Sequence, residues 1–140
     1  MTREPEAGGR YDPRYLAGII FFNQGDYFEA HEVWEALWAA SAAPVRKFYQ
    51  GLIQAAVALL HLGNGNWNGA RRLFCSARQY MAPYMPRYLG LDVEAFWGQM
   101  EKVFAQAEAS TGSPEPPRIV LDPAPVQWPE NPELYLEEDR

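Results

Sequence analysis

Apolar residues recur at spacings of three and four through most of the chain up to residue 110, the period of a helix that buries one face. One such stripe is Tyr27, Ala30, Val33, Trp34, Leu37 and Trp38; another is Val93, Phe96, Trp97, Met100, Val103 and Phe104. The residues between the stripes say where each helix starts and stops. Asp12-Pro13 supplies a cap followed by proline at the first helical position, which predicts a first helix from Pro13 to about Gln24. Gly25 stands where a left-handed residue closes a helix. Asp26 is placed to cap a second helix running to about Ala40, with Glu29 three residues on as its capping-box partner. Pro44 opens a third helix that ends near Leu62, before Gly63. Asn66 caps a fourth, Trp67 to Ala82, which Pro83 and Pro86 terminate. Asp92 caps a fifth, reaching Ala109.

The block Gly25-Asp26-Tyr27-Phe28-Glu29-Ala30 returns forty residues later as Gly65-Asn66-Trp67-Asn68-Gly69-Ala70. Each has a glycine to end a helix, a side chain to cap the next, an aromatic, and an alanine where two helices approach. Such a repeat indicates stacked helical hairpins. The segment from Leu16 to Leu37 also resembles one tetratricopeptide repeat, at Leu16, Gly18, Phe22, Gly25, Tyr27, Ala30 and Trp34. The second copy has a longer first helix, so the expected fold is all-α: about five helices, two packed αα-hairpins plus a capping helix. Residues 1–11 are expected to form a disordered lead-in and 12–110 the helical domain. Seven of the twelve prolines lie between Pro114 and Pro132, so residues 111–140 cannot be helical. Ile119, Val120, Leu121, Trp128, Leu134 and Tyr135 make this tail more apolar than a linker, and an extended strap across the helices is expected, with a frayed acidic end.

The 140 residues fit one domain, and five Trp, eight Tyr and seven Phe supply its core without disulfides. A net charge of −6 disfavours nucleic acid and anionic membrane as partners. The polar N-terminus lacks a signal-peptide core, and the apolar run from Leu52 to Leu62 is too short to span a bilayer, so a reducing, cytoplasmic setting is expected. The one cysteine, Cys75, is read as a small core residue beside Phe74, a reactive thiol being the alternative. Arg71, Arg72 and Arg78 form a solvated basic face, or pair with the acidic second helix, or receive an anion.

Polar residues stand where packing residues would be expected. His31 and Glu35 share a face of the second helix, flanked by Trp34 and Trp38; Gln50, Gln54 and His61 share a face of the third. In an antiparallel hairpin, equal rise places Glu35 level with Gln50 and His31 level with Gln54. Two readings follow: a ladder that pairs with itself and fixes register, or the lining of a pocket made of Glu29, His31, Glu32, Glu35, Trp38, Gln50, Gln54 and His61. The segment from His31 to Glu35 also spells HExxE. His31, Glu35 and His61 are therefore an alternative metal-ligand set, with Glu32 as a base toward bound water.

The blocks from Phe22 to Glu32, from Tyr49 to Ala58 and from His61 to Ala70 resemble the signature of a prokaryotic family catalogued as domain of unknown function 309. The resemblance covers about residues 13–82 and implies a small helical bundle. It implies no activity, and it draws attention to Glu29, His31, Glu32, Glu35, Trp38, Gln54 and His61. The expected function is a non-enzymatic interaction domain taking a protein or peptide partner, or its own tail, with no cofactor. The alternative is a small metal-binding protein or metal-dependent enzyme. The aromatic content also fits a homodimer.

Overall fold

The computed structural model describes residues 7–110 and 112–136. Five α-helices dominate them: α1 (Pro13–Asn23), α2 (Tyr27–Ala39), α3 (Val45–Gly63), α4 (Trp67–Met81) and α5 (Val93–Ala109). Every boundary falls within one residue of the sequence expectation, because the caps are local chemistry. Asp12 accepts from the Arg14 amide at 2.8 Å, Asn66 from Gly69 at 3.0 Å and Asp92 from Ala95 at 2.9 Å. Asp26 departs from expectation: its side chain caps nothing, so the capping box with Glu29 does not form.

The repeat is visible in the hydrogen bonds of the turns. After α1 the Gly25 amide donates to Phe22 and the Asp26 amide to Phe21; after α3 the Gly65 amide donates to Leu62 and Asn66 to His61. Both patterns are Schellman closures around a positive-φ glycine, at 84° for Gly25 and 78° for Gly65.

α1, α2, α3 and α4 pack in sequence order as two consecutive hairpins. Within the first, Gly18 lets the Trp34 indole lie against the α1 backbone; a Cβ there would sit 2.0 Å from Trp34 Nε1, which donates to the Tyr15 carbonyl at 3.2 Å. Within the second, Gly51 meets Met81. α5 then joins the two ends. Its Trp97 and Phe104 rings pack on Phe74 of α4, and its Phe96 lies 5.8 Å from Phe22 of α1. A two-stranded antiparallel hairpin, β1 (Arg87–Tyr88) and β2 (Leu91–Asp92), lies between the end of α4 and the start of α5. Its central residues Leu89 and Gly90 both have positive φ, as a tight hairpin turn requires. Leu89 tolerates this because it is buried and its carbonyl accepts from the Tyr15 hydroxyl at 3.0 Å.

Two local expectations are corrected. Cys75 is exposed. The buried stripe of α4 is Ala70, Phe74, Ala77 and Met81, and the residue after Phe74 is rotated by roughly 100° out of it. The lead-in is ordered from residue 7 onward: Ala7–Gly9 form a 3-10 turn, Tyr11 is buried and its hydroxyl donates to the Pro123 carbonyl at 2.6 Å, and the Gly9 carbonyl accepts from Val126 at 2.9 Å. Residues 1–6 and the acidic end, 137–140, lie outside the described residues.

The tail is the expected extended strap. Ile119 and Leu121 are 2% and 4% exposed, while Val120 between them is 70% exposed, the alternation of an extended segment lying on a core. Further along, a 3-10 turn, Pro132–Tyr135, packs against α1. No helix among the described residues is long and apolar enough to cross a membrane.

Candidate functional site

The polar residues singled out in the sequence do not converge. On α2, His31 Nδ1 lies 2.7 Å from the Phe28 carbonyl. A carbonyl only accepts, so Nδ1 carries the proton, and the free lone pair or the second proton belongs to Nε2. That atom faces Glu35 Oε2 at 3.8 Å, one turn on. Glu35 is exposed, and such pairs contribute about 0.5 kcal/mol or less. Glu29 and Glu32 are half-buried. Trp38 is half-buried beneath the Arg46 guanidinium, 3.9 Å above its ring, and its Nε1 has no hydrogen-bond partner.

The polar stripe of α3 turns toward α4, not α2. Gln50 donates to the Tyr80 hydroxyl at 3.2 Å, and His61 Nδ1 lies 3.4 Å from the side-chain Nδ2 of Asn66, the cap of α4. Gln54 is one helical turn beyond Gln50 and shares its stripe; its Oε1 is buried without a partner. The α2–α3 ladder that equal height suggested is replaced by these bonds. Height along a hairpin is a necessary condition for contact; the azimuth around α3, which lies between two helices, decides which neighbour is met. The Arg46–Trp38 contact is the pair that does bridge α2 and α3, at the height equal rise gives it. The alternative metal set is likewise not assembled. His61 sits at the α3–α4 turn, away from the His31–Glu35 pair, and among the described residues no three His, Cys, Asp or Glu side chains gather as a ligand set.

Among the described residues, the fold grips the strap by its backbone, and sequence reasoning missed the residues that do it. Asn23, at the end of α1, presents its carboxamide to Ile119: Oδ1 accepts from the Ile119 amide at 2.9 Å and Nδ2 donates to the Ile119 carbonyl at 2.9 Å. Gln99, on α5, does the same to the preceding residue, accepting from the Arg118 amide at 2.8 Å and donating to its carbonyl at 3.3 Å. Successive residues of an extended chain direct their backbone groups to opposite sides. Two carboxamides on two helices therefore satisfy both residues completely. The strap continues with the Asp122 amide on the Gly90 carbonyl at 2.9 Å and Arg87 donating to the Asp122 carbonyl at 2.7 Å. The apolar residues Ile119 and Leu121 implied that something must pair this backbone. No local pattern said that Asn23 and Gln99 would.

The fold and this groove define the class: a helical bundle of two hairpins, closed by a fifth helix and a bound C-terminal strap. Residues 15–73 match the model of the family described as Domain of unknown function (DUF309), so the resemblance read in the sequence holds over α1, α2, α3 and the first half of α4. The chain is 36% identical over 102 residues to "Uncharacterized protein YpuF" of Bacillus subtilis (strain 168), a match spanning 70% of this chain and 59% of that one. It is 30% identical over 88 residues to "Uncharacterized protein" of Aquifex aeolicus (strain VF5), spanning 62% of this chain and 26% of that one. The chain thus spans between about a quarter and three fifths of the length of these relatives. Gln99 and the strap lie outside the segment the family model matches.

Proposed function

We propose that this chain is a cytoplasmic, non-enzymatic interaction domain that holds extended peptide segments in the groove between α1 and α5, its own strap being the resident occupant. The clamp of Asn23 and Gln99 on the backbones of Ile119 and Arg118 carries this reading. Backbone pairing gives affinity for any extended chain, and the two seats filled by Ile119 and Leu121 select an apolar residue at alternate positions. The lone thiol, with no second cysteine to pair with, supports a reducing compartment.

The test is a labelled peptide of residues 114–126, titrated by fluorescence anisotropy. The full chain carrying Ile119→Ser and Leu121→Ser should bind it saturably; the parent chain should bind it far less, because its groove is filled. Adding Asn23→Ala should weaken binding about tenfold, the cost of two buried backbone groups losing their partner. A folded double variant, by circular dichroism, that ignores the peptide would overturn the reading. A chain ending at Ser110 should lose about 3–5 kcal/mol of stability in urea melts, since two aliphatic side chains leave their seats.

A further inference from the structure

We propose that the hollow at the α2–α3 turn binds a small aromatic oxyanion, a phosphate or carboxylate carried on a flat apolar body. Residues 36–91 contain Arg46, Lys47, Arg71, Arg72, Arg78 and Arg87 and no Asp or Glu. All eighteen carboxylate side chains of this acidic protein lie outside that stretch, which includes the whole of α3 and α4. The stretch carries six cations and no carboxylate, and a concave surface lined by cations concentrates the field.

Within this stretch lies a hollow of about 640 Å³ lined by Arg46, Lys47, Gln50, Tyr84, Ala43 and Pro44, among others, with no acidic residue in its lining. Two other cations of the stretch are engaged elsewhere: Arg78 pairs with Glu101 at 2.8 Å, and Arg87 donates to the Gly90 and Asp122 carbonyls. Among the described residues, Arg46 and Lys47 have no carboxylate within ion-pair distance. Arg46 is held in place. Its guanidinium lies over Trp38, and Nε donates to the Trp38 carbonyl at 3.3 Å, which leaves its two terminal nitrogens for a ligand. A planar fork and a point charge side by side suit an oxyanion.

The walls are fixed before any ligand arrives. The Tyr84 hydroxyl donates to the Pro44 carbonyl, tying the turn after α4 to the turn before α3, and the Tyr84 ring packs 5.4 Å from Phe48 and 4.6 Å from Tyr88. Gln50 is oriented by its bond to Tyr80. Ala43, Pro44 and the Tyr84 ring give the body of a ligand an apolar seat. The protein as a whole carries a net charge of −6, which repels a long polyanion more than a small one.

The experiment is a two-dimensional amide NMR titration of the full chain with phenyl phosphate, benzoate and inorganic phosphate. An aromatic probe should shift the amides of residues 41–50 and of Tyr84 saturably, and whichever of the two binds more tightly identifies the oxyanion. Arg46→Gln and Lys47→Gln should each weaken binding about tenfold. The double variant Arg71→Gln and Arg72→Gln, outside the cavity, should bind as the parent does. Inorganic phosphate binding as tightly as phenyl phosphate would overturn the aromatic seat. Overturning the site itself would take the absence of saturable shifts, or an equal loss in the Arg71/Arg72 variant. Lys47→Gln leaves the Trp38 stack intact, so a folding defect confined to Arg46→Gln does not blur the outcome.

Discussion

In both hairpins a positive-φ glycine ends the first helix, and the next amide reaches back five residues, from Asp26 to Phe21 and from Asn66 to His61. The turns are the same; the seals above them are not. In the α1–α2 hairpin, Gly18 faces the edge of a fully buried indole whose N–H is committed to Tyr15. In the α3–α4 hairpin, Gly51 faces Met81, which is also fully buried and accepts from Trp97 Nε1 at 3.3 Å, but whose unbranched thioether chain has more rotamers to adjust through than a rigid indole. A repeated turn therefore does not imply repeated tolerance. What a helix pair forgives depends on whether the residue in its closest approach can give way.

The largest consequence is at those two glycines. Gly18→Ala should cost about 3 kcal/mol, the upper end for overpacking, and Gly51→Ala about 1 kcal/mol. Equal losses in urea denaturation would show that the indole yields as readily as the thioether. Next come the turn glycines, where the hairpins should agree. Gly25→Ala and Gly65→Ala should each cost about 1–2 kcal/mol, because a Cβ is strained at positive φ whatever the space around it. A clear difference in melting temperature between these two variants would break the equivalence of the turns.

The caps come third. Asn66→Ala should cost about 1 kcal/mol, whereas Asp26→Ala should cost a few tenths at most, since Asp26 accepts no amide hydrogen bond. The smallest effect is on pH. Burial raises the phenol pKa of Tyr27 on α2 and, more strongly, of Tyr49 on α3, where the Asp12 carboxylate and Tyr88 add to it and Arg14 opposes. A folded-state pKa above the unfolded value near 10 means that the native state keeps its proton longer. Stability from Tyr49 is full below that pH and declines as pH rises past it toward the raised folded-state pKa. Tyr49→Phe should flatten the alkaline limb of the stability curve more than Tyr27→Phe does.

The sequence by itself determined the five helices, their order and ends, the repeated turn and the strap, because period, caps and proline act over a few residues and need no knowledge of neighbours. The charge asymmetry between residues 36–91 and the rest was equally plain in the chain. Tertiary structure alone decided which neighbour each polar face meets. Gln50 and His61 turn to α4 because α3 has a helix on either side, and one-dimensional height cannot choose between them. It also decided that Tyr11 is covered by the strap, that Cys75 faces solvent, and that Asn23 and Gln99, separated by most of the bundle's length in sequence, close on adjacent residues of one extended segment. Directions around a helix axis and meetings between distant segments are set by the packing of the whole core, and no local pattern carries them.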